Sequence, residues 1–176
     1  MSPPTPETLS STNPTHVSST CKAHNLTPDE FATLSRRAAE AKQLAYCPYS
    51  RFRVGAAVLT ADGSFVTGCN VENASYPVGT CAERVALGRA VAEGHAAKQE
   101  GGGGGFRALA VATDVTPPAS PCGMCRQFIR EFLELDAPII MFDKNRDYVV
   151  LKLGELLPLS FGPDKLPPPG TPGAMG

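Results

Sequence analysis

A three-layer α/β/α sandwich, one sheet covered by helices on both faces, is the fold class that the sequence predicts, on three observations. Segments with helical spacing of apolar residues alternate with short apolar runs, in the order α-β-β-α-β-α-β-β. The chain has 176 residues, 42% of them hydrophobic, which suits one domain with an ordinary core. No internal repeat divides it.

The elements follow in order. Residues 1–23 are rich in Ser, Thr and Pro and hold almost no large apolar side chains. Such a segment cannot offset its own ordering entropy, so a disordered tail is expected there and the domain proper over 24–166. "LTPDEF" opens the first helix: Thr27 is a good N-cap, Pro28 suits the first helical position, and Glu30 completes a capping box. Phe31, Leu34, Ala38, Ala41 and Ala45 keep helical spacing, and the helix is expected to end near Cys47-Pro48. Residues 53–59 and 64–68, around the turn Ala61-Asp62-Gly63, form a hairpin. The next helix is expected from Thr80, burying Val85, Ala86, Ala90 and Val91. "KQEGGGGG" over 98–105 has the composition of a flexible loop insertion. Residues 106–112 make a buried strand, and a short helix from Pro121-Cys122 carries Phe128, Ile129 and Phe132. Two more strands, 138–142 and 148–151, flank a turn from Asp143 to Asp147. The proline- and glycine-rich run 167–176 is expected to be a second disordered tail.

Composition excludes several function classes. A net charge of −1 gives no electrostatic footprint for nucleic acid or an anionic membrane. No apolar run is long enough to span a bilayer, and the N-terminus lacks the basic and apolar regions of a secretory signal. The expected compartment is the cytoplasm, with the nucleus also compatible, where stable disulfides are rare. The two glycosylation-like matches at Asn25 and Asn73 are then read as chance, and six cysteines need another explanation.

Cys122 and Cys125 stand three residues apart just after Pro121. A redox pair at a helix N-terminus uses this spacing, and so does a metal site. A structural zinc site would need a second Cys pair or a His pair, which the sequence lacks; His16, His24 and His95 read as surface residues. Cys21 falls in the tail, and Cys47 and Cys69 read as small buried hydrophobes. Cys81 differs, because it begins a helix and Glu83 follows two residues later. Cys81, Cys122 and Cys125 would give a catalytic zinc three thiolates from two helix N-termini, leaving one position for water. Glu83 has two readings: the last member of a capping box from Thr80, or the carboxylate that handles the protons of a metal-activated water.

Here the sequence resembles a known family. Cys81-Ala82-Glu83 and Pro121-Cys122-Gly123-Met124-Cys125 fit the Cys₃ form of the zinc deaminase signature. Residues 27–166 are similar to the small homotetrameric cytidine deaminases, through "AYCPYSRFRVGAAVL", "GCNVENASYPVGTCAERVAL", "SPCGMCRQF" and "LLPLSFGPDKL". The long N-terminal tail and the glycine insertion depart from the family pattern.

The resemblance implies a mixed five-stranded sheet and one Zn²⁺ per chain on Cys81, Cys122 and Cys125. The implied reaction is hydrolysis of cytidine and 2′-deoxycytidine to uridine and 2′-deoxyuridine with release of ammonia, a step of pyrimidine salvage. Glu83 is then the catalytic proton shuttle. Arg84 would draw charge off the ligand thiolates, where the plain alternative is an exposed helix charge. Asn70 and Glu72 match residues that bind the sugar 3′-hydroxyl, Phe52 an aromatic that packs on the pyrimidine, and Ala82 a backbone N–H that contacts the base. Tyr76 and Phe161 match residues contributed across subunit interfaces, so a homotetramer with shared active sites is implied. A nucleic-acid-editing relative would want a basic groove and stacking aromatics, and this chain has no Trp.

Overall fold

A computed structural model describes residues 6–95 and 105–166. The expectations for residues 1–5 and 167–176, and for the glycine run up to residue 104, lie outside these described residues.

The expected strands are β2 (Val54–Thr60), β3 (Phe65–Cys69), β4 (Phe106–Thr113), β5 (Pro138–Phe142) and β6 (Asp147–Lys152). A sixth, the two-residue β1 (Leu9–Ser10), pairs antiparallel with β6, so the sheet has six strands rather than five. Its order is β1-β6-β5-β4-β2-β3. It is mixed: β4 and β5 run parallel, with Leu109 opposite Ile139, and every other neighbouring pair is antiparallel. Short turns join the antiparallel pairs β2–β3 and β5–β6, whereas the parallel pair β4–β5 needs a crossover, here through α4 (Gly123–Arg130).

The stretch 6–23 corrects the expectation of a disordered tail. Asn13 caps α1 (Pro14–Ala23) by accepting from the N–H groups of Thr15 and His16. The helix is held from outside: Thr20 Oγ1 and Tyr148 OH stand 2.9 Å apart, and Cys21 is buried in the cluster containing Phe31 and Tyr148. Few large apolar residues were needed, because the surface receiving them comes from elsewhere in the chain.

Alternate residues of β4 face opposite layers, as strand geometry requires. Ala108, Ala110 and Ala112 face α2 (Pro28–Lys42), with Phe31, Leu34 and Ala38. Leu109 and Val111 face α3 (Ala82–Ala92), α4 and α5 (Leu153–Leu156). Two glycines set the layer spacing. A Cβ on Gly55 would fall 2.1 Å from the Ala38 carbonyl of α2, and one on Gly68 2.3 Å from the Ala86 amide of α3. Only hydrogen at these positions lets both helices lie this close to β2 and β3.

Two helix expectations shift. α2 stops at Lys42, because the following chain is drawn away: the Tyr46 N–H donates to the Asn70 carbonyl at 3.0 Å, and the Glu72 N–H to the Tyr46 carbonyl at 2.7 Å. α3 buries Ala82, Glu83, Ala86, Leu87 and Ala90, while Val91 is exposed and Val85 half-buried. The stripe that meets Gly68, not the most apolar one, faces the sheet. Cys47 and Cys69 are half-buried rather than buried; the Cys69 thiol donates to the Leu44 carbonyl at 3.4 Å.

Candidate active site

Thr80 does not cap α3. Its N–H and carbonyl both pair with Val71, at 2.8 and 2.9 Å, which ties it into a short extended bridge. Cys81 is therefore the N-cap and Glu83 the second helical residue, so the capping-box reading of Glu83 fails by one position. Cys122 is the N-cap of α4, and Cys125 is fully buried in its first turn. Neither cysteine side chain caps the N–H groups of its helix.

Their sulfurs turn toward one another instead. The Sγ atoms of Cys81, Cys122 and Cys125 all lie within 4.8 Å, and those of Cys81 and Cys122 are 4.0 Å apart. All six cysteines are free thiols. Thiolates sharing one tetrahedral zinc stand about 3.8 Å apart, given Zn–S bonds of about 2.3 Å. The trio thus fits one zinc ion with small adjustments, and three ligands leave a fourth position open. One guanidinium N–H of Arg84 reaches the Gly79 carbonyl at 3.2 Å, and its buried Nε has no hydrogen-bond partner.

Electrostatics concentrate charge at this corner. A hydrogen bond from Cys125 holds the Cys81 thiol down to about 5, against the opposing effect of burial, with Arg84 and Cys122 assisting. Cys125 is pushed up, chiefly by donating its proton to Cys81 and then by burial. Glu83 is 3% exposed, and burial raises its pKa, with negative charge on Cys81 adding to the effect.

A cavity of about 420 Å³ opens beside the sulfurs. Phe52, Asn70, Glu72, Tyr76, Glu83 and Cys122 all line it. Both functional ends of the Asn70 amide clamp the neighbouring segment: Oδ1 accepts from the Val54 N–H and Nδ2 donates to the Phe52 carbonyl, each at 2.8 Å. Ala82 is buried at the first position of α3, where helix geometry leaves its N–H without an intrahelical acceptor. Phe161 is apart: it is exposed, on the strap after α5, and is not among the cavity's lining residues within one chain. Sequence reasoning missed Ser50, Val54, Val111, Thr113 and Ser120, which also line the wall. It also missed Arg126, whose guanidinium ties the Pro121 carbonyl to the Leu156 carbonyl, both at 2.8 Å. Ser50 had a signal, since it sits inside the quoted "AYCPYSRF" block; the others look like ordinary strand and loop residues.

Comparison with known proteins agrees with this geometry. Residues 29–140 match the family model described as the cytidine and deoxycytidylate deaminase zinc-binding region. A cytidine deaminase of Sporosarcina psychrophila is 41% identical over 127 residues, covering 72% of this chain and 88% of that protein. One from Mycobacterium tuberculosis is 41% identical over 145 residues, covering 80% and 96%. Among solved structures, the cytidine deaminase of Burkholderia pseudomallei superposes with a TM-score of 0.68 at 42% identity, covering 74% of this chain and 98% of that one.

Proposed function

The chain belongs to the cytidine and deoxycytidylate deaminase family and is a zinc-dependent hydrolase converting cytidine to uridine, and from that premise we propose how its residues divide the work. One observation carries the division: three cysteine sulfurs within 4.8 Å converge beside the buried Glu83 on the wall of a nucleoside-sized cavity.

Cys81, Cys122 and Cys125 hold the metal, which when bound supplies the Lewis acidity that makes water nucleophilic near neutral pH. Glu83 takes a proton from the attacking water and passes it to pyrimidine N3, then takes the second proton from the hydroxyl added at C4 and passes it to the 4-amino nitrogen, which departs as ammonia. Its burial suits this task, because burial pushes the Glu83 carboxyl above its ordinary value and so makes it a better proton acceptor. Three thiolates on a dication leave one negative charge, and Arg84 offsets it by donating to the sulfurs.

Phe52 packs on the pyrimidine, and the Ala82 N–H contacts the base. Asn70 and Glu72 read the sugar 3′-hydroxyl, and 2′-deoxycytidine, which keeps that hydroxyl, is also a substrate. Tyr76 and Phe161 complete neighbouring sites in a homotetramer. Their exposure supports this reading, at 73% and 61%, as does that of Leu159 beside Phe161, because large exposed apolar groups mark contact surfaces. The cellular role is pyrimidine salvage in the cytoplasm; among the described residues no helix is long and apolar enough to cross a membrane.

The test is absorbance change on adding the protein separately to cytidine, 2′-deoxycytidine, cytosine and cytidine monophosphate. Turnover of the two nucleosides, with slow reaction of the free base and the nucleotide, is expected. Equal turnover of cytosine and cytidine would remove the sugar-reading roles of Asn70 and Glu72.

A further inference from the structure

We propose that Ser50 is a positioning residue for sugar recognition: its hydroxyl holds the Glu72 carboxylate in place at the cavity wall. This inference rests on the reading of Glu72 as acceptor for the 3′-hydroxyl.

Three donors from one tight segment converge on Glu72. The backbone N–H groups of Tyr49 and Ser50 reach Oε2 at 2.9 and 3.2 Å. The Ser50 hydroxyl donates in a short contact to Oε1, the other oxygen. That hydroxyl in turn accepts from the Phe52 N–H at 3.0 Å, which aims its proton at the carboxylate. Ser50 therefore links Glu72 to the backbone of Phe52, the residue proposed to pack on the base. Ser50, Glu72 and Phe52 all line the same cavity. The carboxyl of Glu72 is held below its ordinary value, with the Ser50 hydrogen bond as the largest cause.

The chemistry explains the need. A glutamate on a surface segment has three rotatable bonds, and ordering it on binding would cost affinity. With both oxygens already fixed, a sugar hydroxyl meets an ionised acceptor in a set orientation and uses a remaining lone pair. The two N–H donors hold only Oε2, so removing the Ser50 hydroxyl frees Oε1 and the rotation of the carboxylate. The loss should appear in substrate binding rather than in the chemical step, and only for substrates with a 3′-hydroxyl.

The experiment compares kcat and KM for cytidine and 3′-deoxycytidine in wild type, Ser50→Ala, Ser50→Thr, Glu72→Ala and the Ser50→Ala/Glu72→Ala double variant. Ser50→Ala should raise KM for cytidine about 10-fold and leave kcat within about 3-fold, in line with loss of a charge-assisted hydrogen bond. Its KM for 3′-deoxycytidine should move less than about 3-fold, and that activity also reports an intact metal site. Ser50→Thr, which keeps the hydroxyl, should restore most of the loss. In the Glu72→Ala background, Ser50→Ala should add less than about 2-fold, because the two changes share one interaction. If Glu72→Ala discriminates between the substrates while Ser50→Ala harms both alike, or if the two effects simply multiply, the role of Ser50 is overturned and that of Glu72 stands. If Glu72→Ala itself harms both substrates equally, the sugar-acceptor reading fails and this inference falls with it.

Discussion

α2 and α3 begin with similar letters, Thr-Pro-Asp-Glu and Thr-Cys-Ala-Glu, and do opposite things with them. At α2, Thr27 Oγ1 accepts from the Glu30 N–H at 3.1 Å, while a Glu30 oxygen accepts from the Thr27 N–H at 2.8 Å. The helix satisfies its own end, and Arg107 ties Glu30 to the body of the domain. At α3 the threonine is spent on Val71, the cap is a cysteine whose side chain makes no capping hydrogen bond, and the glutamate is one position too early for a box. The side chains that stabilise the start of α2 are, at α3, not used by the helix, and these are the ones to which metal binding and proton transfer are assigned above. The same local grammar closes one helix end and leaves the other open.

That contrast can be broken at the metal first. Cys122→Ala should lose most of the bound zinc and, with it, nearly all deaminase activity, measured by metal analysis beside the cytidine assay. Stoichiometric zinc retained by a triple variant at Cys81, Cys122 and Cys125 would overturn the assigned ligand set.

The two glutamates come next. Glu83→Gln should keep zinc and fold yet lower kcat by about 10⁴-fold or more, since general acid–base groups contribute about 10²–10⁴-fold and this one serves several proton transfers. Glu30→Gln should leave kcat unchanged. A Glu83→Gln enzyme within tenfold of wild type, an arbitrary mark set at about one decade or 1.4 kcal/mol, would make the two residues alike.

A smaller effect comes from how α3 is seated. Gly68→Ala would drive a methyl into the Ala86 amide, and overpacking of this kind costs about 1–3 kcal/mol. Gly88→Ala, on the same helix with open space around it, should instead stabilise by about 0.5–1 kcal/mol. Denaturant unfolding of the two variants checks both signs.

The smallest effect sits at the closed end. Thr27→Ala should cost about 1 kcal/mol and spare activity. Glu30 carries a pH signature as well. Burial pushes its carboxyl up, but the hydrogen bonds with Arg107 and Thr27 outweigh that and hold it below its ordinary value. A depressed folded pKa stabilises above the unfolded value and is lost as pH falls through the folded one. The stability gap between wild type and Glu30→Gln should therefore hold steady above the ordinary carboxyl value of 4.5 and shrink as the pH falls below it, as read in thermal melts.

The sequence by itself determined what chemistry of short range can determine. The capping box at Thr27, the hairpin about Asp62-Gly63 and the alternation behind the layers depend on neighbours a few residues apart. The cluster of three cysteines was legible for a related reason: thiolate ligation restricts residue type and spacing so tightly that little else produces the pattern. Tertiary structure decided the rest, because the partners lie far along the chain. Residues 6–23 looked too polar to fold, yet α1 rests on Tyr148, and no local count of apolar residues could include that side chain. Thr80 was a plausible cap until Val71 claimed its backbone. Gly68 is one residue of a hairpin strand in the sequence, and only packing makes it the seat of α3. Ser50 and Glu72, 22 residues apart, meet only because the chain after α2 bridges to Val71. Spacing can specify which atoms a metal would take, but only packing specifies which hydrogen bonds are already made, and so which groups remain free to act.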